Sequence, residues 1–263
     1  MTGIQAVFFD QDGVIIDTER DGHRVAFNRA FQEFGFAVSW DVETYRGLLA
    51  IAGGKERLAH YLHTRGFGQP VPADEAEALI RSLHERKTAI FVELIEGGSL
   101  PLRPGVRRLM SEIVAAGLAL GICTTSNERA ARAITQKLLS EFPFDVVLAG
   151  DVVKKKKPDP EIYLLALARM NLAADQCIVI EDSANGIEAA ARAGIRSVAT
   201  SNAYTEQEDL GKAGIIVSCL GEPGGELGRL MKPDRLAGYD GVLRLQQIVD
   251  CLSSPGRSPP DRR

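Results

Sequence analysis

The sequence predicts an α/β fold, in which a parallel sheet carries helices on both faces and a small all-helical unit is inserted after the first strand. Two observations predict the sheet. Short apolar runs rich in β-branched residues alternate with segments whose apolar residues recur at helical spacing, and each run stops at polar or glycine residues. A third observation predicts the insertion: from about Thr18 to Ser99 this rhythm lapses and no convincing strand occurs.

Taken in order, residues 4–9, 118–123, 144–149, 177–180 and 195–199 read as buried strands. Between them, Val106, Leu109, Met110, Ile113 and Val114 mark one helix, and Ile162, Leu165, Ala166 and Met170 another. Within the insertion, helix formers dominate residues 23–34, 55–64 and 73–96, and Gly66, Gly68, Pro70 and Pro72 mark a loop. The expected organisation is a core of residues 1–18 and 100–252, a helical unit of residues 19–99, and a disordered tail of residues 253–263 containing Pro255, Pro259 and Pro260. The glycine-rich segment 221–241 fits none of these elements.

Bulk properties narrow the function. A net charge of −4 gives no electrostatic footprint for nucleic acid. No apolar run approaches the roughly 20 residues that span a bilayer, and the start of the chain has no basic flank of a secretory signal. Cys123, Cys177, Cys219 and Cys251 form no CxxC pair and read as buried, reduced thiols, which points to a reducing compartment. With no long exposed apolar stripe, a monomer is the default.

In a parallel α/β sheet, ligands bind beyond the carboxyl ends of the strands, and polar residues gather there in this chain. The first strand ends in Asp10-Gln11-Asp12-Gly13. Two carboxylates so placed repel each other unless a cation neutralises them, and one can attack while the other handles protons. The second ends in Thr124-Thr125-Ser126-Asn127, hydroxyls and an amide at a helix start that suits a phosphate. Lys154 to Lys157 and Pro158 follow the third, and Glu181-Asp182-Ser183 follows the fourth. Singly, each has a bland reading as turn, cap or surface charge. Together they form a phosphoryl-transfer set, in which hard oxygen ligands hold Mg2+ and a lysine balances the phosphoryl charge.

The order Asp10-x-Asp12-Gly13, Thr124, Lys157-Pro158, Glu181-Asp182 resembles the four motifs of the haloacid dehalogenase superfamily of phosphatases, across the chain to about Cys251. The resemblance implies a Rossmann-like core, and the helical insertion is similar to the cap domain of the β-phosphoglucomutase-like branch. It also implies roles. Asp10 is the nucleophile and Asp12 the acid and base, while Thr124 and Lys157 bind the transferring phosphoryl group. The metal set is Asp10, Asp12 through its backbone carbonyl, and Asp182, with Glu181 close by. Gln11 replaces the small apolar or variable residue common there, and its side chain is expected to point away from the metal.

The insertion is rich in polar groups at its turns. Gly53-Gly54 ahead of Lys55, Glu56 and Arg57 would present backbone N–H groups and two cations at a helix start, a cradle for a second phosphate. An exposed helix in water is the alternative. Glu19, His23, Arg46, His84 and Lys87, with Asn127 of the core, complete a pattern similar to the CbbY-type sugar bisphosphatases. That likeness implies that Glu19 and His23 contact sugar hydroxyls, and that Arg46, Lys55, Arg57, His84 and Lys87 surround the phosphate that stays. It further implies xylulose 1,5-bisphosphate as substrate, a Rubisco inhibitor of the Calvin cycle, and a cytoplasmic enzyme, or a stromal one if a transit peptide has been removed. A phosphomutase shares the Asp10/Asp12 chemistry and stays open, as does a non-catalytic scaffold.

Overall fold

The computed structural model describes residues 3–49, 51, 54–98, 100–126 and 128–253. The chain divides into two compact units. One carries the chain as far as Ile16 and again from Leu102; the other is Asp17–Pro101, slightly longer than the expected 19–99. Gly53, Asn127 and residues 254–263 of the expected tail lie outside the described residues.

The strands are β1 (Ala6–Phe9), β2 (Ala119–Cys123), β3 (Val146–Leu148), β4 (Cys177–Glu181), β5 (Arg196–Thr200), β6 (Ile215–Val217) and β7 (Leu230–Lys232). They form one sheet in the order β3-β2-β1-β4-β5-β6-β7. Every residue of β1 and β4 is buried, as expected of strands covered on both faces. β1 lies between β2 and β4, with Phe9 level with both Ile122 and Ile180. The strand order reverses about β1, and a crevice opens there at the carboxyl ends. Asp10, Thr124 and Glu181 stand at that level.

Two corrections apply to the expected sheet. β6 and β7 extend it, and β7 pairs antiparallel to β6, so the sheet is not parallel throughout. Each has only three residues, and Met231 in β7 is 41% exposed, so neither produces a readable apolar run.

The helical unit holds α1 (Arg24–Glu33), α2 (Val42–Leu48), α3 (Gly54–Arg65) and α4 (Ala76–Glu96). A π-helical turn, Thr18–His23, leads into α1; the Asp17 side chain caps it by accepting from the Arg20 N–H at 3.0 Å. α2 was not anticipated. It has one turn's worth of buried side chains, Tyr45 and Leu48, and its start is set by Asp41 accepting from Thr44 N–H at 2.7 Å. The unit closes on aromatic rings, with Phe27, Phe31, Trp40, Tyr45 and Phe67 all fully buried and Phe31 meeting Trp40 edge-on at 4.9 Å.

In the core unit, α5 (Val106–Ala115), α6 (Glu128–Ala133), α7 (Glu161–Met170), α8 (Ala184–Arg192) and α9 (Leu245–Ser253) accompany the sheet. α5 buries Val106, Leu109, Met110 and Ile113, whereas Val114 is exposed. Segment 221–241 loops out between β6 and α9 and contains β7; Arg108 on α5 anchors its ends by donating to the carbonyls of Leu220, Gly221 and Leu243 at 2.9–3.1 Å. Ser253 closes α9 rather than opening the tail. The four cysteines are free thiols; Cys251 is half-buried and the others buried. Among the described residues, no helix is long and apolar enough to cross a membrane.

Candidate active site

Asp10 follows β1 directly, and its backbone N–H donates to the Ile180 carbonyl at 2.9 Å, which ties it to β4. Glu181 ends β4 and Asp182 follows. Each of these three carboxylates offers an oxygen within 4.8 Å of the others. Lys157 enters from the loop before α7 and places Nζ 2.6 Å from Asp10 Oδ1, 2.6 Å from Glu181 Oε1 and 2.9 Å from the Cys123 carbonyl. The pairing is buried: the side chains of Lys157, Asp10 and Glu181 are 7%, 11% and 1% exposed.

Glu181 meets several donors. Lys157 and the Tyr163 hydroxyl, at 2.7 Å, meet Oε1, and the Asp182 N–H meets Oε2 at 3.1 Å. It therefore anchors the lysine through Oε1, while Oε2 keeps lone-pair capacity beside Asp10 and Asp182. Asp182 has one partner on Oδ2, the Asn202 amide at 2.8 Å. Asp12 is not among the three clustered acids; the Ser126 hydroxyl donates to its carboxylate. Thr124 is buried at the end of β2, and its Oγ1 accepts from the Ser126 N–H at 3.1 Å, shaping the turn that Thr125 shares. Gln11 is buried.

The charge balance is lopsided. Burial first, then Glu181 and Asp12, push the Asp10 carboxyl up to about 8, despite Lys157. Burial, then Glu181 and Asp10, also raise the Asp182 carboxyl well above the usual range. Burial opposes the charge on Lys157, but Asp10 and Glu181 outweigh it and hold the ammonium above its ordinary range. One buried lysine thus faces three crowded acids with Asp12 nearby. Carboxylate oxygens in this state fit a hard divalent cation, and Asp10, Asp182 and Glu181 are the side chains that could hold it.

The helical unit, by itself, gathers a second set. Lys87 is buried, with Nζ 3.0 Å from His23 Nδ1 and 4.8 Å from the centre of the Phe27 ring. Glu19 Oε2 accepts from the Tyr45 hydroxyl at 2.7 Å, and that hydroxyl accepts from Arg57 Nη1 at 3.2 Å. Arg57 Nε also donates to the Ile51 carbonyl at 2.9 Å. The His84 ring packs where a Cβ on Gly54 would stand, with Nε2 at 2.7 Å from that point, so glycine at the start of α3 makes room for imidazole. Burial brings Lys87 down to about 8, and burial, then Lys87 and Arg57, hold His23 well below the ordinary imidazole range. Burial also lowers His84.

Of the expected residues, the structure brings Glu19, His23, Arg57 and Lys87 together, with His84 seated against Gly54. Lys55 and Glu56 are exposed on α3, where both act electrostatically on His84, and Arg46 pairs with Glu43. Tyr163, Asn202 and Arg103 were missed. Asn202 follows the fifth strand and could have been found by the same strand-end rule, whereas Tyr163 lies among the buried residues of α7 and carries no signal of its own.

A sequence profile of the haloacid dehalogenase-like hydrolases matches residues 4–194. The CBBY-like protein of Arabidopsis thaliana is 45% identical over 222 residues, covering 83% of this chain and 70% of the relative. The crystal structure of CbbY from Rhodobacter sphaeroides, as an aspartate-to-asparagine mutant in complex with xylulose 1,5-bisphosphate, superposes with a TM-score of 0.64 at 37% identity, covering 84% of this chain and 98% of that one. A β-phosphoglucomutase from Clostridium difficile gives 0.54 at 27% identity, over 81% and 90% of the two chains. With Asp10, Lys157 and Asp182 assembled at the strand ends, the chain belongs to the haloacid dehalogenase-like hydrolase family, as a phosphatase-type enzyme of the β-phosphoglucomutase-like branch that includes the CbbY proteins.

Proposed function

We propose that the protein is a magnesium-dependent sugar bisphosphatase that works through an aspartyl-phosphate on Asp10, with xylulose 1,5-bisphosphate as its substrate. The observation that carries this reading is Asp10 itself, a buried carboxylate at a strand end with a lysine ammonium 2.6 Å away and two further acids around it. Asp10 would attack phosphorus as the bond from phosphorus to the sugar oxygen breaks, and Asp12 would hand its proton to that departing oxygen. Asp12 would then take a proton from water while the water oxygen attacks phosphorus. The bond to Asp10 breaks, freeing the carboxylate and inorganic phosphate.

Ser126 orients Asp12 for both transfers. Lys157, held by Asp10 and Glu181, balances the charge of the phosphoryl oxygens, and Thr124 sits at the adjoining turn. Magnesium, held by Asp10, the Asp12 carbonyl and Asp182, would supply the remaining positive charge for those oxygens. The buried Lys87 and the partly buried Arg57, with His23 beside the lysine, support a second anionic group on the substrate, and the bisphosphate in the related CbbY complex supports a sugar. On this reading the enzyme acts as a monomer on a Rubisco inhibitor of the Calvin cycle, in cytoplasm or plastid stroma.

A screen of phosphate release over sugar mono- and bisphosphates, with and without Mg2+, tests the proposal. Fast, Mg2+-dependent release of one phosphate from xylulose 1,5-bisphosphate is expected. Isomerised sugar phosphate with little free phosphate would mark a mutase, and release that survives chelation would remove the metal from the scheme.

A further inference from the structure

Arg103 lies in no recognised motif, yet its guanidinium binds three strand-end loops of the core unit at once. Nη1 donates to the Gly13 carbonyl, to the Thr200 carbonyl at 3.0 Å and to Thr200 Oγ1 at 2.9 Å. Nη2 donates to the carbonyls of Ser201 at 2.7 Å and Ser218 at 2.8 Å. Its backbone N–H adds a bond to the Ile15 carbonyl at 2.8 Å. Those loops follow β1, β5 and β6.

Two of these acceptors flank Asp182. Gly13 follows Asp12, has φ +79°, and lies so close to Asp182 that a Cβ there would stand 2.0 Å from Oδ2 and 2.9 Å from Asn202 Nδ2. Ser201 precedes Asn202, whose amide holds the same Oδ2 at 2.8 Å. Gly13 and Asn202 thus both meet Asp182 at Oδ2, and Arg103 grips the backbone of the first and the neighbour of the second.

We propose that Arg103 is a positioning residue for the divalent cation: it clamps the two loops that aim the Asp182 carboxylate and set the backbone of Asp12 and Gly13. This rests on reading Asp10 and Asp182 as metal ligands. A planar fork with five N–H groups can span such spread carbonyls; a lysine ammonium carries the charge but cannot. Partners outside the ligand set typically change metal affinity by about 10–100-fold when removed.

Arg108 provides the control. It also binds a set of backbone carbonyls, those of Leu220, Gly221 and Leu243, and fixes the same 218–243 region, but none of its partners adjoins Asp182. Mn2+ binding to the full chain, read by EPR of the free ion, separates a clamp on the site from general support of the fold. The wild type is expected to bind one ion, Arg103→Met to bind it about tenfold or more weakly, and Arg103→Lys to recover little of the loss. Arg108→Met is expected to bind like the wild type even where its Tm falls as far. Binding by Arg103→Met within twofold of the wild type, or equal weakening by Arg108→Met, overturns the proposal. If Arg103→Met does not fold, Arg103→Lys decides by the same thresholds. A wild type that binds no Mn2+ fails at the metal reading itself, and the clamp falls with it.

Discussion

The two units bury charge of opposite sign, and the contrast shows what each one lacks. In the core unit, Asp10 and Asp182 are acids pushed upward, largely by burial. In the helical unit, Lys87 and His23 are bases pushed downward, again largely by burial. One physical cause, the cost of removing a charge from water, acts on both. On the proposed function, a divalent cation would relieve the first cluster and an anionic group of the substrate would relieve the second. The lysines differ accordingly. Lys157 sits between two carboxylates and stays charged, whereas Lys87 leans on rings and an imidazole, and burial brings it down to about 8. The core holds its own cation firmly, and the helical unit has a cation that an anion would hold in the charged form.

The strongest way to break this contrast is Asp10→Asn. Steady-state phosphate release should fall by about 10^4-fold or more, as for loss of a nucleophile, while Tm does not drop, because one crowded acid has gone and Lys157 keeps Glu181. Retained turnover would remove the covalent step. Arg57→Ala probes the other half. KM for a bisphosphate should rise roughly 10–100-fold, the scale of one charged hydrogen bond, with little change for a monophosphate. Equal weakening of both would show that the cationic cluster does not take a second phosphate.

Two pH effects sharpen the comparison further. Without a cation the Asp10 carboxyl is held up to about 8, so a bound divalent ion must displace its proton. Calorimetric Mg2+ affinity should rise from pH 6 toward 8, by up to about tenfold per unit for each proton displaced from Asp10 and Asp182. A flat profile would mean that the acid cluster is already ionised. The helical unit shows the opposite sign. His23 binds its proton less readily folded than unfolded, so below about pH 6.5 the unfolded chain takes up a proton that the folded one refuses. Its contribution is present above that pH and is lost as pH falls, at up to about 1.4 kcal/mol per unit. Urea unfolding of His23→Gln should show a shallower loss between pH 6.5 and 5; an unchanged slope would assign it to other groups.

Much of the core chemistry was legible from chain order. In a parallel α/β unit, a residue just past an apolar run must emerge at the same edge of the sheet as its counterparts, so Asp10, Thr124 and Glu181-Asp182 were read as neighbours although far apart along the chain. Local pattern also set the helices of the insertion, except α2, whose seven residues bury only Tyr45 and Leu48. The sequence by itself thus determined which side chains reach the site level and which chemistry they can perform. Only the tertiary structure decided how they share it: Glu181 tied to Lys157 and Tyr163, Lys87 folded back onto His23, Arg46 paired with Glu43, and Arg103 tied to Gly13 and Ser201. The reason is that periodicity and strand ends are local properties, whereas a buried hydrogen bond joins groups such as Lys87 and His23, 64 residues apart, whose meeting depends on how whole elements pack.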